Sequence, residues 1–112
     1  MAIFSTHLLN SMNGSHANNV KIIIYKTNGM DRTIFLEAFT DEGGRMYKEF
    51  SLSKDDCDSD FEMIIKTRNY FNNNDNNIIN EISIKFKMKD PQKKYHMPLI
   101  ISPNSYSVWW SK

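Results

Sequence analysis

From residue 82 to residue 89, Ile82, Ile84, Phe86 and Met88 alternate with Ser83, Lys85, Lys87 and Lys89. A period of two sends successive side chains to opposite faces, so this segment is a strand with one face buried and the other in water. Shorter apolar runs of strand length lie at residues 20–26, 33–39, 61–65, 97–101 and 106–110, with a weaker one at 6–9. Turn formers separate them: Asn13-Gly14-Ser15, Thr27-Asn28-Gly29, Asp41-Glu42-Gly43-Gly44, Asp90-Pro91 and Ser102-Pro103-Asn104. Short strands punctuated this regularly predict an all-β chain, an antiparallel sandwich or barrel.

Two segments qualify that picture. Residues 20–26 are apolar on both phases, with Val20, Ile22 and Ile24 on one and Ile23 and Tyr25 on the other. The core would cover one face and a partner subunit the other. Residues 67–77 are polar and rich in asparagine. They predict a loop or a helix of at most two turns with Thr67 as its N-cap; low-complexity filling of a surface loop explains the composition equally well.

With 112 residues the chain has length for one core, hence a single domain over 1–112. Lys and Arg number 14 against 13 Asp and Glu, a net charge of +1 that withholds the electrostatic drive of a nucleic-acid binder. Lys85, Lys87, Lys89, Lys93 and Lys94 cluster, but the first three are the outward phase of one strand, and a solvated lysine face that discourages edge pairing accounts for them. No nucleic-acid partner is expected. Cys57 has no second cysteine to pair with, and Asp55, Asp56 and Asp58 around it disfavour a thiolate, so it reads as an inert surface thiol. No apolar run approaches a membrane span and no leader pattern opens the sequence, so the expected compartment is the cytoplasm. Glycine-rich phosphate loops, paired-cysteine motifs and His-x-x-x-His spacings do not occur, and no metal is expected.

Three residues could carry chemistry: His7, Arg45 and His96. Each has a plain alternative when taken alone. His7 could be a surface or interface residue, Arg45 a turn arginine after Gly43-Gly44, and His96 a hydrogen-bonded structural histidine among large apolar neighbours. Together, two imidazoles and a guanidinium suit water-mediated hydrolysis of an acyl bond. A neutral imidazole takes a proton from water while the guanidinium and the other ring hold the developing oxyanion. His16, in the stretch Asn13-Gly14-Ser15-His16-Ala17-Asn18-Asn19, is a weaker candidate on an exposed loop.

The segment Tyr95-His96-Met97-Pro98-Leu99-Ile100-Ile101-Ser102-Pro103, followed by Tyr106-Ser107, resembles the C-terminal signature of the 5-hydroxyisourate hydrolases, transthyretin-like enzymes of urate breakdown. Ser5-Thr6-His7-Leu8-Leu9-Asn10 resembles that family's Thr-His-Val-Leu-Asp, and Thr40-Asp41-Glu42-Gly43-Gly44-Arg45 its Thr-x-x-x-Gly-Arg turn. Thr67-Arg68-Asn69-Tyr70-Phe71 is similar to the approach to the family's short helix. The resemblance implies a transthyretin-like two-sheet antiparallel sandwich of about eight strands with one short helix. It also implies a homotetramer with sites where dimers meet, and hydrolysis of 5-hydroxyisourate in purine catabolism without a cofactor. By the same resemblance His7, Arg45 and His96 are the catalytic set, with His7, Arg45 and Trp109 against the small-molecule substrate.

The tail departs from the family, whose Tyr-Arg-Gly-Ser is replaced here by Trp109-Trp110-Ser111-Lys112. Trp109 keeps an aromatic wall without the phenol, Trp110 puts an indole in place of a cation, and Lys112 puts charge in place of a hydroxyl. Ser111 stands one place early and, by the period of two, faces the opposite way from the family's serine. Asn10 replaces an aspartate: a carboxylate that oriented a neighbour would be missed, and one that was merely solvated would not. A small-ligand carrier like transthyretin is the runner-up reading, and a third is an interaction module with Trp109 and Trp110 as anchors.

Overall fold

Along the first strand every second side chain points inward. In β1 (Ala2–Asn10), Ala2, Phe4, Thr6, Leu8 and Asn10 are buried, while Ile3, Ser5, His7 and Leu9 face outward and are partly exposed. The run at 6–9 looked weak because two inward positions are polar. The Thr6 hydroxyl is satisfied by donating to the Met97 carbonyl at 2.6 Å, so its burial leaves no orphan.

The computed structural model describes residues 1–71 and 76–111. In them β2 (Lys21–Asn28), β3 (Asp31–Phe39), β4 (Arg45–Phe50), β5 (Asp60–Ile65), β6 (Ile82–Phe86), β7 (Lys94–Ile101) and β8 (Tyr106–Val108) complete two four-stranded sheets. The orders are β4-β1-β7-β8 and β3-β2-β5-β6. The expected two-sheet sandwich is therefore present. One pairing breaks the antiparallel rule, since β1 and β7 run parallel over Ile3–Asn10 and Lys94–Ile101, joining distant ends of the chain.

The core lies between the sheets. Phe4, Leu8, Met46, Leu99 and Ile101 from one face Ile22, Ile24, Phe61, Met63, Ile65 and Ile82 from the other. Phe86 bridges them, its ring centroid 5.4 Å from Phe4 and 5.9 Å from Phe61. Burying each such side chain stabilises the fold by about 1.5–3 kcal/mol.

Some expectations need correction. Arg45 opens a strand, β4, that the sequence reading left as a turn; most of its residues are exposed and only Met46 is buried. Residues 53–58 form a helix that was not foreseen, α1 (Lys54–Asp58), with Ser53 and Asp56 in a reciprocal capping box. Cys57 sits on it half-buried, its thiol pKa raised by burial and by the Asp58 and Asp56 carboxylates. The second helix, α2 (Thr67–Tyr70), is one turn long, and its N-cap is Lys66; Thr67 is its first residue, buried. Residues 72–75 of the asparagine-rich stretch lie outside the described residues. On the second phase of β2, Ile23 is 8% exposed within the single chain, while Tyr25 is half-buried with the Arg32 guanidinium 4.0 Å from its ring centroid. Among the described residues no helix is long and apolar enough to cross a membrane.

Candidate active site

Residues paired across a sheet share a face, and the outward face of the β4-β1-β7-β8 sheet collects the predicted residues. Arg45 is opposite His7, which lies beside Pro98. Trp109 continues this row by donating its N–H to the Pro98 carbonyl at 3.3 Å. The next row is Tyr47, Ser5, His96 and Ser111. His7, Arg45, His96 and Trp109, far apart in sequence, are thus brought onto one surface. From His7 to His96 is one strand across and two residues along, roughly 8 Å.

His96 is held by a residue that the sequence did not single out. Ser5 Oγ and His96 Nδ1 share a hydrogen bond of 2.8 Å, which fixes the ring while leaving Nε2 for chemistry. Beneath, the Tyr95 hydroxyl donates to the Asp90 carbonyl at 2.7 Å and accepts from the Asp90 N–H at 2.8 Å, closing the turn that starts β7.

The turn before β4 aims Arg45. Asp41 Oδ1 accepts from the N–H groups of Gly43 and Arg45, each at 2.9 Å. Gly44 adopts φ +72°, and its carbonyl accepts the Leu8 N–H at 2.8 Å. A methyl group there would stand 2.5 Å from the Leu8 carbonyl oxygen and 3.0 Å from the Ala17 nitrogen, so only glycine fits. None of the ion pairs found among the described residues engages the Arg45 guanidinium.

His16 lies against His7. Its Nδ1 is 3.0 Å from His7 Nε2 and the rings stack at 5.1 Å with an interplanar angle of 25°. The loop is exposed as expected, but it returns to β1 and forms a bridge between His16 and Leu9 just beyond the end of β4. The return spans only seven residues, from Leu9 to His16, and the apolar Ala17 and Val20 in an otherwise polar stretch, both buried, are its trace in the sequence.

These neighbours set the charge on His7. Burial lowers its pKa below the ordinary 6.5; Arg45, His16 and His96 add repulsion, and a backbone hydrogen bond to Gly43 opposes them. At neutral pH the ring is a free base beside a guanidinium. That combination can accept a proton and stabilise an oxyanion with no further group.

The tail divides. Trp109 and Ser111 follow the site face, whereas Trp110 lines an apolar hollow with Phe86, Tyr95 and Met97 and lies under the Lys93 ammonium, 4.7 Å from it. Lys112 is outside the described residues. Asn10 is on the opposite face from His7, buried, with its amide donating to the Tyr70 hydroxyl at 3.2 Å and accepting from the Met12 N–H at 2.9 Å. Its part is to tie a turn to α2. Among the described residues no group of three or more His, Cys, Asp or Glu is placed to hold a metal.

Comparison with known proteins bears on the family and the fold. The model of the HIUase/transthyretin family matches residues 4–110. A 5-hydroxyisourate hydrolase of Pseudomonas aeruginosa is 23% identical over 114 residues, covering 97% of this chain and 90% of its own. The solved structure of Klebsiella pneumoniae 5-hydroxyisourate hydrolase superposes with TM-score 0.78 at 18% identity, covering 98% of this chain and 99% of that one. Sea bream transthyretin in complex with thyroxine has the same TM-score, 0.78, at 19% identity over 96% of this chain and 93% of its own. At such identities the two structures speak for the fold alone.

Proposed function

The chain belongs to the HIUase/transthyretin family, and from that premise we propose that it is a 5-hydroxyisourate hydrolase. Water attacks the carbonyl of the six-membered ring and opens it to 2-oxo-4-hydroxy-4-carboxy-5-ureidoimidazoline, with no cofactor. The observation that carries the reading is the register of Arg45 against His7, with His96 on the same face one row away. His7 and His96 position and deprotonate the water. Arg45 binds substrate oxygens and holds the oxyanion, and Trp109 offers a flat wall to the flat substrate. A hydrolase name on the curated relatives favours this over a carrier.

The reading takes residues 1–112 as one domain, acting as a homotetramer in the cytoplasm. What supports assembly is apolar exposure along the β8 edge: Ile100 and Trp109 on the site face are 39% and 47% exposed, and Tyr106 and Val108 on the other phase are 42% and 36% exposed in the single chain. Light scattering on the purified protein measures the assembly directly.

The test of activity is the decay of 5-hydroxyisourate generated in situ from urate. Protein should accelerate it, and His7→Ala, Arg45→Ala or His96→Ala should each remove most of the gain. Unaltered decay in the presence of folded wild-type protein rejects the hydrolase.

A further inference from the structure

We propose that His16 is a positioning residue for His7, holding its ring through the Nε2–Nδ1 hydrogen bond and keeping one imidazole of the pair neutral. The inference rests on the hydrolase reading above and adds a residue to its site.

The backbone delivers His16 firmly. The Asn10 N–H donates to the Ser15 carbonyl at 2.8 Å and the Ala17 N–H to the Leu8 carbonyl at 2.9 Å, so residues 15–17 extend the edge of β1 where β4 stops. Thr40 clamps the loop from the far side: its buried hydroxyl donates to the Ala17 carbonyl at 2.6 Å and accepts the Val20 N–H at 2.9 Å. Since Leu9 is on the outward phase of β1, its bridge partner His16 faces outward too, and the ring reaches back one position to stack on His7.

The chemistry follows from the bond itself. An imidazole–imidazole hydrogen bond places one proton between two nitrogens, so it exists only while at least one facing nitrogen keeps its lone pair. Protonating both rings turns both nitrogens into donors and ends the bond. Arg45 from β4 and His96 from β7 add positive charge to the same region, while the Asp41 carboxylate of the adjoining turn is occupied by the Gly43 and Arg45 N–H groups. The pair therefore resists full protonation and keeps a neutral, oriented imidazole on the site face.

Three proteins decide it: wild type, His16→Ala and His16→Asn. Asparagine places an amide where Nδ1 stands but cannot titrate. His16→Ala should keep the wild-type melting temperature, lose about 10- to 100-fold in kcat/KM, and move the acid limb of its pH profile upward. His16→Asn should recover most of the lost rate. An acid limb that does not move in His16→Ala, or an asparagine variant no better than alanine, overturns the proposal. If wild type fails to accelerate hydrolysis, the hydrolase reading falls. An NMR titration of the His7 ring in wild type and His16→Ala then still tests the pairing, and an unchanged titration rejects it.

Discussion

Arg45 stands directly opposite His7 across the β1–β4 ladder, a cation and an imidazole on neighbouring strands with no carboxylate pairing the guanidinium among the described residues. An arginine cannot give up its proton near neutral pH. Burial first and this repulsion second lower the pKa of His7, which spends neutral pH as a base.

The first consequence is a pH profile. With its folded pKa below 6.5, His7 is neutral at pH 7 and becomes protonated only further down. The acid limb of kcat/KM should therefore lie below pH 6.5. Stability has the same sign: between the lowered pKa and 6.5 the unfolded chain binds more protons, so this contribution is complete above 6.5 and is lost as pH falls through the folded pKa. Rates measured from pH 5 to 8 with chemistry limiting check it, and a flat profile would remove His7 as the base.

Replacing the cation tests the coupling. Arg45→Ala should lower kcat/KM by about 10²–10³-fold through loss of oxyanion stabilisation. It should also move the His7 titration upward, because a repulsive charge is gone. An NMR titration of His7 that stays put in Arg45→Ala would mean the guanidinium points away from the ring in solution.

Much of this arrangement was legible in the sequence, for reasons that differ by element. The 82–89 alternation survives as β6, and Met88 remains fully buried beyond the last ladder residue because the phase outlasts the pairing. β1 was underread since Thr6 and Asn10 occupy inward positions and disguise the alternation. β4 was missed because most of its side chains are exposed, leaving little hydrophobic period to see. His7, Arg45 and His96 stood out as candidates for their chemistry and through motif likeness, and the strand register brings them onto one face. Ser5 did not stand out, since a hydroxyl facing a ring 91 residues away is a product of tertiary pairing, and His16 stood only as a weaker candidate because its loop reads as exposed and shows no sign of returning to β1.

Gly44 and Gly14 separate backbone strain from collision. Both have positive φ, +72° and +73°, but a methyl at Gly14 meets nothing within 4 Å while one at Gly44 meets the Leu8 carbonyl oxygen. Gly14→Ala should cost about 1 kcal/mol from the left-handed conformation alone. Gly44→Ala should cost several times as much and displace Arg45. Urea denaturation of both variants measures the difference, and equal midpoints would contradict the close approach.

Ser5→Ala removes the hydroxyl that holds His96 Nδ1 without touching the inward face of β1. The fold should lose no more than about 1 kcal/mol. Activity should fall roughly tenfold as the ring reorients, and Ser5→Thr, which keeps a hydroxyl, should recover part of it. Wild-type rates in Ser5→Ala would show that the His96 orientation is set elsewhere.

The two tail tryptophans should fail in opposite ways, although they are adjacent and about equally exposed, at 47% and 49%. Trp109 continues the Arg45–His7–Pro98 row, so Trp109→Ala should raise KM through loss of the aromatic wall and leave the melting temperature of the isolated fold near wild type. Trp110 packs against Phe86, Tyr95 and Met97 under the Lys93 ammonium, so Trp110→Ala exposes that hollow and should destabilise the chain by about 1–3 kcal/mol. Its KM should change little, because the indole is turned away from the site face. Steady-state kinetics and thermal melting of the two variants check the pair together. If Trp110→Ala carried the KM effect, the register that places Trp109 beside Pro98 would be wrong by one residue, and Trp109 and Ser111 would move to the other face of the sheet.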